Sequence, residues 1–357
     1  MTEKKAYLTL ENGMTFEGYR FGSDRDAVGE LVFTTGVCGY LETLTDPAYY
    51  GQMVIQTFPL IGNYGVIPAD FQGACALSAY IVREQCTTPS NFRAEKTLDE
   101  ALKERGIPGL YGVDTRQLTR IIREAGVMNA QISDAPVTDL SKIKGYQVTG
   151  GVAEVTNKDT ESFGDQNAPL HAVVWNFGAG QDVKEALLSR NVRVTVLPAS
   201  IKAEDILKYK PDGILLSGGP GDPAENTAVI AEVAKVLGRV PALGIGLGHQ
   251  LMALATGGQT VKMKHGHRGA NQPSKDHVSG RTYMTTQNHG YAVDGEKIKT
   301  GKLRFVNVND GTVEGIDYPE QKAFSVQFYP EVCGGNHGTS FLYDRFVTMM
   351  KEGAYAD

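Results

Sequence analysis

Cysteine is scarce in this chain: four residues among 357, at positions 38, 75, 86 and 333. They are too few and too scattered for a disulfide framework, and no Cys-x-x-Cys pair offers a metal site. No metal ligand set is legible, and a reducing cytoplasm is the expected compartment. Long apolar runs are also missing; none approaches the roughly 18 residues that a membrane span needs. The opening stretch Met1–Leu10 has no apolar leader core and passes directly into a strand-like pattern. A dense block of Lys and Arg is absent too, and the net charge is −6, which argues against nucleic acid as a partner. The remainder is ordinary for a water-exposed globular chain, 41% hydrophobic and 21% charged, and long enough for about two cores.

The first half reads as β-rich α/β. Ala6–Leu10, a turn at Glu11–Gly13 and Met14–Tyr19 form a hairpin pattern, and Gly29–Thr35 and Met53–Thr57 are further strands. Thr97 and Glu100 have capping-box spacing before a helix that Gly106 stops. Asp114 caps a second helix with an apolar stripe of Leu118, Ile121 and Ile122, closed by Gly126. From Ala135 to Pro169 the pattern turns polar and irregular. The expected division is therefore residues 1–150, a linker at 151–169, and a second domain at 170–357. In the second domain, strands His171–Trp175, Arg193–Leu197, Gly213–Leu216 and Ala242–Ile245 alternate with helices Val183–Ser189, Ala203–Tyr209, Ala228–Leu237 and His249–Thr256. That alternation predicts a doubly wound, mostly parallel sheet.

Pro241–Gln250 reads Pro-Ala-Leu-Gly-Ile-Gly-Leu-Gly-His-Gln, a short apolar strand running through glycines into a helix. Enzymes that attack carbonyls mount Ser or Cys at the centre of such a turn, at a strand's carboxyl end. The centre here is Gly246, which has no side chain to attack with.

Four segments of the second half resemble class I glutamine amidotransferases: Leu216–Pro223, Gly244–Gln250, Gln287–Val293 and Ser325–Glu331. In the first half, Thr45–Tyr49, Phe58–Gly65, Ser90–Arg93 and Gly112–Arg120 are similar to the N-terminal domain of the carbamoyl phosphate synthetase small subunit, as are Val261–Lys264 and His267–Asn271 further on. The resemblance covers nearly the whole chain. It implies an amidotransferase-like domain of the doubly wound class. In this family the small subunit hydrolyses glutamine and passes ammonia to a large subunit, which uses bicarbonate and ATP to make carbamoyl phosphate for pyrimidine and arginine synthesis. Cofactors are expected on that partner alone, as ATP and Mg; the assembly is a heterodimer or larger.

Carried over position by position, the resemblance gives a broken triad. The family has cysteine at Gly246 and histidine at Tyr329; the carboxylate, Glu331, is retained. Glutamine hydrolysis needs a thiolate and a base near neutrality, whereas a phenol titrates ordinarily near pH 10 (about 10). Removing one member of such a unit costs several orders of magnitude, and a second loss adds little. Substrate contacts implied by the resemblance are Gly219, Gly221, Leu247, Gln250, Asn288, Gly290 and Tyr291, with backbone N–H groups around 219–221 and 247 as an oxyanion hole. Ala48 stands where the family usually has serine. Asn176–Asp182 departs from the family's Asp-Phe-Gly-basic pattern and lacks a charge at Gly180 and Gln181.

Cys333 could restore a nucleophile only by reaching the elbow from another segment. His249 reads as a structural histidine, and for His289 structural and pocket-lining readings stand equal. The leading expectation is a small subunit with a silent glutaminase site, docked on a large subunit and holding glutamine, if at all, without hydrolysis. The alternative is a non-catalytic glutamine-binding regulator with no ligase partner.

Overall fold

In a computed structural model, residues 4–331 and 338–356 are described; Cys333 lies outside them. The chain forms two compact units, Met1–Thr149 and Gly150–Asp357.

The N-terminal unit is built on a closed barrel. Its strands run in the order Lys5–Leu10, Thr15–Gly22, Pro108–Tyr111, Ala79–Ile81, Gln52–Gln56, Ala27–Thr34 and Met128–Ser133, the last pairing back onto the first. Closure leaves no unpaired sheet edge. Alternation divides the side chains: Leu31, Met53, Ile55, Ile81 and Leu110 share one core with Leu118 and Ile122, while Val32, Val54 and Tyr80 face a second core with Leu98 and Leu102. Both helix starts carry the caps their sequences specify. Thr97 Oγ1 accepts from Glu100 N at 3.3 Å, and Thr97 N donates to Glu100 Oε2 at 2.8 Å. Gln117 N donates to Asp114 Oδ1 at 2.9 Å. The second helix, Thr115–Ala125, buries Leu118 and Ile122 and stops at Gly126, whose φ is 103°.

The C-terminal unit holds a ten-stranded sheet. Five strands are parallel, in the order Val192–Pro198, Leu170–Asn176, Gly213–Leu216, Ala242–Ile245, Ala323–Val326. All seven residues of Leu170–Asn176 are buried, as expected for a strand covered on both faces. Helices Gln181–Leu188, Ala203–Lys208, Thr227–Val236 and Leu247–Ala255 fall where the alternation places them. Beyond Ala323–Val326 the sheet continues antiparallel through Val313–Tyr318, Thr282–Val293, Thr260–Asp276 and Lys302–Asn307. The strand-helix alternation does not announce this extension.

Residues 151–169, read as a linker, are built into this unit. Gly151–Val155 is helical, and Glu161–Phe163 pairs antiparallel with Val194–Val196. Glu161 and Ser162 are exposed, so an edge strand here has no apolar alternation to signal it.

Candidate functional site

Gly246 sits between the strand Ala242–Ile245 and the helix Leu247–Ala255 with φ 55° and ψ −112°. Side chains rarely adopt this conformation, and a non-glycine residue held there stores about 1–3 kcal/mol. The turn is fixed from both sides: Gly246 N–H donates to Val326 O and Gly248 N–H to Ser217 O, each at 2.9 Å. Leu247 N–H, between them, opens the helix, where intrahelical acceptors are lacking and the dipole favours negative charge.

A Cβ placed on Gly246 would lie 3.3 Å from Gly218 Cα and 3.9 Å from both Gln327 O and Tyr329 Cε1. The fold thus brings Gly246 and Tyr329 together from segments far apart in sequence. Tyr329 is held by its N–H donating to Thr286 O at 3.0 Å, a single bridge to the strand Thr282–Val293. Glu331 is buried and accepts from Tyr343 Oη at 3.0 Å. Burial, then the Glu331 charge, pushes the Tyr343 phenol well above its ordinary value, so it stays a donor.

Gly219 packs where no side chain fits, since a Cβ would collide with Phe177 O and reach within 2.9 Å of Leu247 Cδ2. Gly219 and Leu247 therefore meet at the elbow. Gly221 has φ 87° and open space around its Cα. Gln250 braces the site: its Nε2 donates to Tyr291 O at 2.7 Å and to Gln327 Oε1 at 2.9 Å. Asn288 and Gly290 are half-buried on the same strand as Tyr291, with Asn288 paired opposite Arg268. Ala48 belongs to the other unit, in the one-turn helix Pro47–Tyr49, where its N–H donates to Asp46 Oδ1 at 2.9 Å.

The departure at 176–182 has a local role. Asn176 Oδ1 accepts from Gly178 N at 2.9 Å and Ala179 N at 2.7 Å, and its amide donates to Asn157 Oδ1 at 2.9 Å. An amide can make that last bond; a carboxylate cannot. Among the described residues the cysteines are Cys38, Cys75 and Cys86, all in the N-terminal unit; burial raises the Cys75 thiol to about 11, away from thiolate character.

His249, one turn past Gly246, is fully buried and shares a 2.7 Å hydrogen bond between Nδ1 and Ser325 Oγ. Burial pushes its pKa down to about 3, so it is a neutral structural histidine. Unfolding would return it to an ordinary value near 6.5 (about 6.5), so the unfolded chain binds the extra proton. Each unit of acidification between these values is expected to remove up to about 1.4 kcal/mol of stability. Denaturant unfolding from pH 7 to 4 checks this; a His249→Gln variant should show a flatter acid limb.

A glycine-framed elbow at the end of a parallel strand, faced by a segment carrying a buried carboxylate, is the frame of an amidotransferase-type site. The family model for glutamine amidotransferase class-I matches residues 173–349, and that for the carbamoyl-phosphate synthase small chain, CPSase domain, matches residues 8–132. Proteins named carbamoyl phosphate synthase small chain match along almost the whole chain. The one from Staphylococcus epidermidis is 43% identical, covering 98% of this chain and 97% of its own length. That from Oceanobacillus iheyensis is 44% identical (98% and 96%), and that from Archaeoglobus fulgidus 42% (98% and 99%). The chain belongs to the carbamoyl phosphate synthase small chain family.

Proposed function

We propose that this chain is a small subunit whose own glutaminase chemistry is lost. It docks on a large, ATP-using synthase subunit, which then takes free ammonia. The observation that carries the reading is the turn at Gly246. The strained nucleophile geometry persists, but no atom projects from it, and a tyrosine ring borders the position where a side chain would start. No cofactor is assigned to this chain; ATP and Mg belong on the partner.

Retention of Gly219, Leu247, Asn288, Gly290 and Tyr291 around the elbow supports a pocket that still accepts glutamine as a bound amide. The oxyanion-hole donor would be the Leu247 N–H with backbone around 219–221. Gly221 and Gln250 complete the frame, Gln250 by bracing Tyr291.

The test is co-expression with a large subunit of the same family. A stable complex is expected, making carbamoyl phosphate from ammonium and bicarbonate but gaining nothing from glutamine. Glutamine-dependent synthesis would overturn the silent-site reading. Absence of any complex, together with calorimetric glutamine binding, would favour the regulator without a ligase partner.

A further inference from the structure

Behind the strand that carries Asn288 and Gly290 lies a buried polar cluster for which the amidotransferase reading has no use. His267 comes from the strand Thr260–Asp276, Gln287 and His289 from Thr282–Val293, and Glu314 from Val313–Tyr318. One ligand atom each from His267, His289 and Glu314 lies within 4.8 Å of the others.

The hydrogen bonds around the cluster fix which atoms face inward. His289 Nδ1 is 2.8 Å from Tyr291 O, a pure acceptor, so Nδ1 carries the proton and a neutral ring turns the Nε2 lone pair to the cluster. His267 Nε2 lies 2.9 Å from Asp310 Oδ2 and donates to it, leaving Nδ1 facing inward. Thr285 Oγ1 donates to Gln272 O at 2.8 Å and so must accept from Gln287 Nε2, 3.0 Å away. That orients Gln287 with Oε1 toward both rings, 3.0 Å from His267 Nδ1 and from His289 Nε2.

Glu314 completes the set. Its side chain is 0% exposed, and its polar neighbours are few: His267 Nδ1, 3.3 Å from Oε1, and the Asn307 amide. The Asn307 amide comes within 3.3 Å of His267 Nδ1. Two imidazole nitrogens, an amide oxygen and a carboxylate thus converge with few protons to share. A buried carboxylate with so few donors around it is costly, and a cation relieves that cost for all four groups at once.

The geometry points to a divalent transition-metal site of the Zn²⁺ class, with His267 Nδ1, His289 Nε2 and the Glu314 carboxylate as ligands and Gln287 Oε1 as the fourth. Ligands about 2.0–2.1 Å from a tetrahedral ion stand roughly 3.3 Å apart, which small side-chain shifts from the present spacing achieve. The outer partners match what metal-bound imidazoles use: a backbone carbonyl behind His289 and a carboxylate behind His267. Asp310, whose side chain is 43% exposed, gives the buried set an edge on solvent. The ion would staple three antiparallel strands and fix the strand bearing Asn288 and Gly290 from behind, so its role is structural.

The test uses the full chain stripped with a chelator and titrated with Co²⁺ and with Zn²⁺. One equivalent of Co²⁺ is expected to bind with the visible d–d bands of a four-coordinate N/O site. Zn²⁺ at a hundred times its Kd should raise Tm by roughly 5–10 °C. Asp310→Asn, which leaves the ligands in place, should weaken binding about 10–100-fold. Glu314→Gln should abolish the Co²⁺ bands, and His277→Ala, at an exposed histidine, should leave them unchanged. No stoichiometric binding by the folded, unaltered chain would overturn the site. So would affinity unchanged in Asp310→Asn, or spectra unchanged in Glu314→Gln, meaning that neutral protons and hydrogen bonds alone satisfy the cluster.

Discussion

The double variant Gly246→Cys/Tyr329→His is expected to hydrolyse glutamine at least about a thousandfold faster than the unaltered chain, while either single variant stays at background. The backbone at 246 already holds the conformation that a nucleophile elbow demands, φ 55° and ψ −112°. Two hydrogen bonds, to Val326 O and Ser217 O, hold it there, so the strain of adding a side chain falls on a fixed turn. Space is adequate: the new Cβ requires Gly218 Cα, at 3.3 Å, to give by a few tenths of an ångström, and meets nothing else closer than 3.9 Å. Replacing the Tyr329 ring with imidazole puts a base beside that thiol. The Glu331 carboxylate, held by Tyr343 Oη, is then two residues away along the chain to orient it. A folded double variant that releases no glutamate would mean that the pocket frame itself has drifted.

Asp317→Ala is expected to destabilise the C-terminal unit by about 3–5 kcal/mol. Asp317 is buried between two arginines: Oδ2 accepts from Arg304 Nη1 at 3.1 Å and Oδ1 from Arg345 Nη1 at 2.9 Å. Arg304 Nε also lies 2.7 Å from Asp276 Oδ1, and Arg345 donates to Ala356 O and Tyr355 Oη at 2.7 Å each. Removing the shared carboxylate takes one charged partner from each of two guanidiniums that stay out of water. The cost is thus that of breaking a buried ion-pair network from one side, well beyond that of an exposed ion pair. The network ties the antiparallel strands Lys302–Asn307 and Val313–Tyr318 to the helix Phe341–Glu352, which also carries Tyr343. Urea unfolding of the variant checks the magnitude, and a loss below about 1 kcal/mol would show that the network contributes little.

The parts of the fold legible in the sequence are those set by neighbours along the chain. Thr97 with Glu100, and Asp114 before Leu118 and Ile122, mark helix starts because a cap needs only residues three positions away. The parallel strands of the second unit are legible as short apolar runs because they are covered on both faces. Closure of the barrel is different in kind: Ala27–Thr34 pairs with both Gln52–Gln56 and Met128–Ser133, and no local pattern names those partners. The strand Glu161–Phe163 was hidden by its polar edge position, which made a built-in segment look like linker.

At the candidate site, the elbow at Gly246 was readable because its strand, turn and helix are contiguous. The neighbour that matters most, Tyr329, is brought there only by the pairing of Ala242–Ile245 with Ala323–Val326, which no spacing reveals. Gln250 shows a further limit: sequence position marks it for the pocket, while its amide bonds reveal a brace between Tyr291 and Gln327. The His267, His289 and Glu314 cluster left no spacing signal, since its members sit on three strands and meet only through sheet pairing.

The most direct measurement is glutamate release from glutamine by the unaltered chain, alone and in complex with a large subunit, at saturating glutamine. No glutamate above the uncatalysed rate is expected in either case, even while the complex makes carbamoyl phosphate from ammonium. Steady glutamate release that scales with the amount of this chain would contradict a silent glutaminase site, and would mean that a residue other than Gly246 supplies the nucleophile.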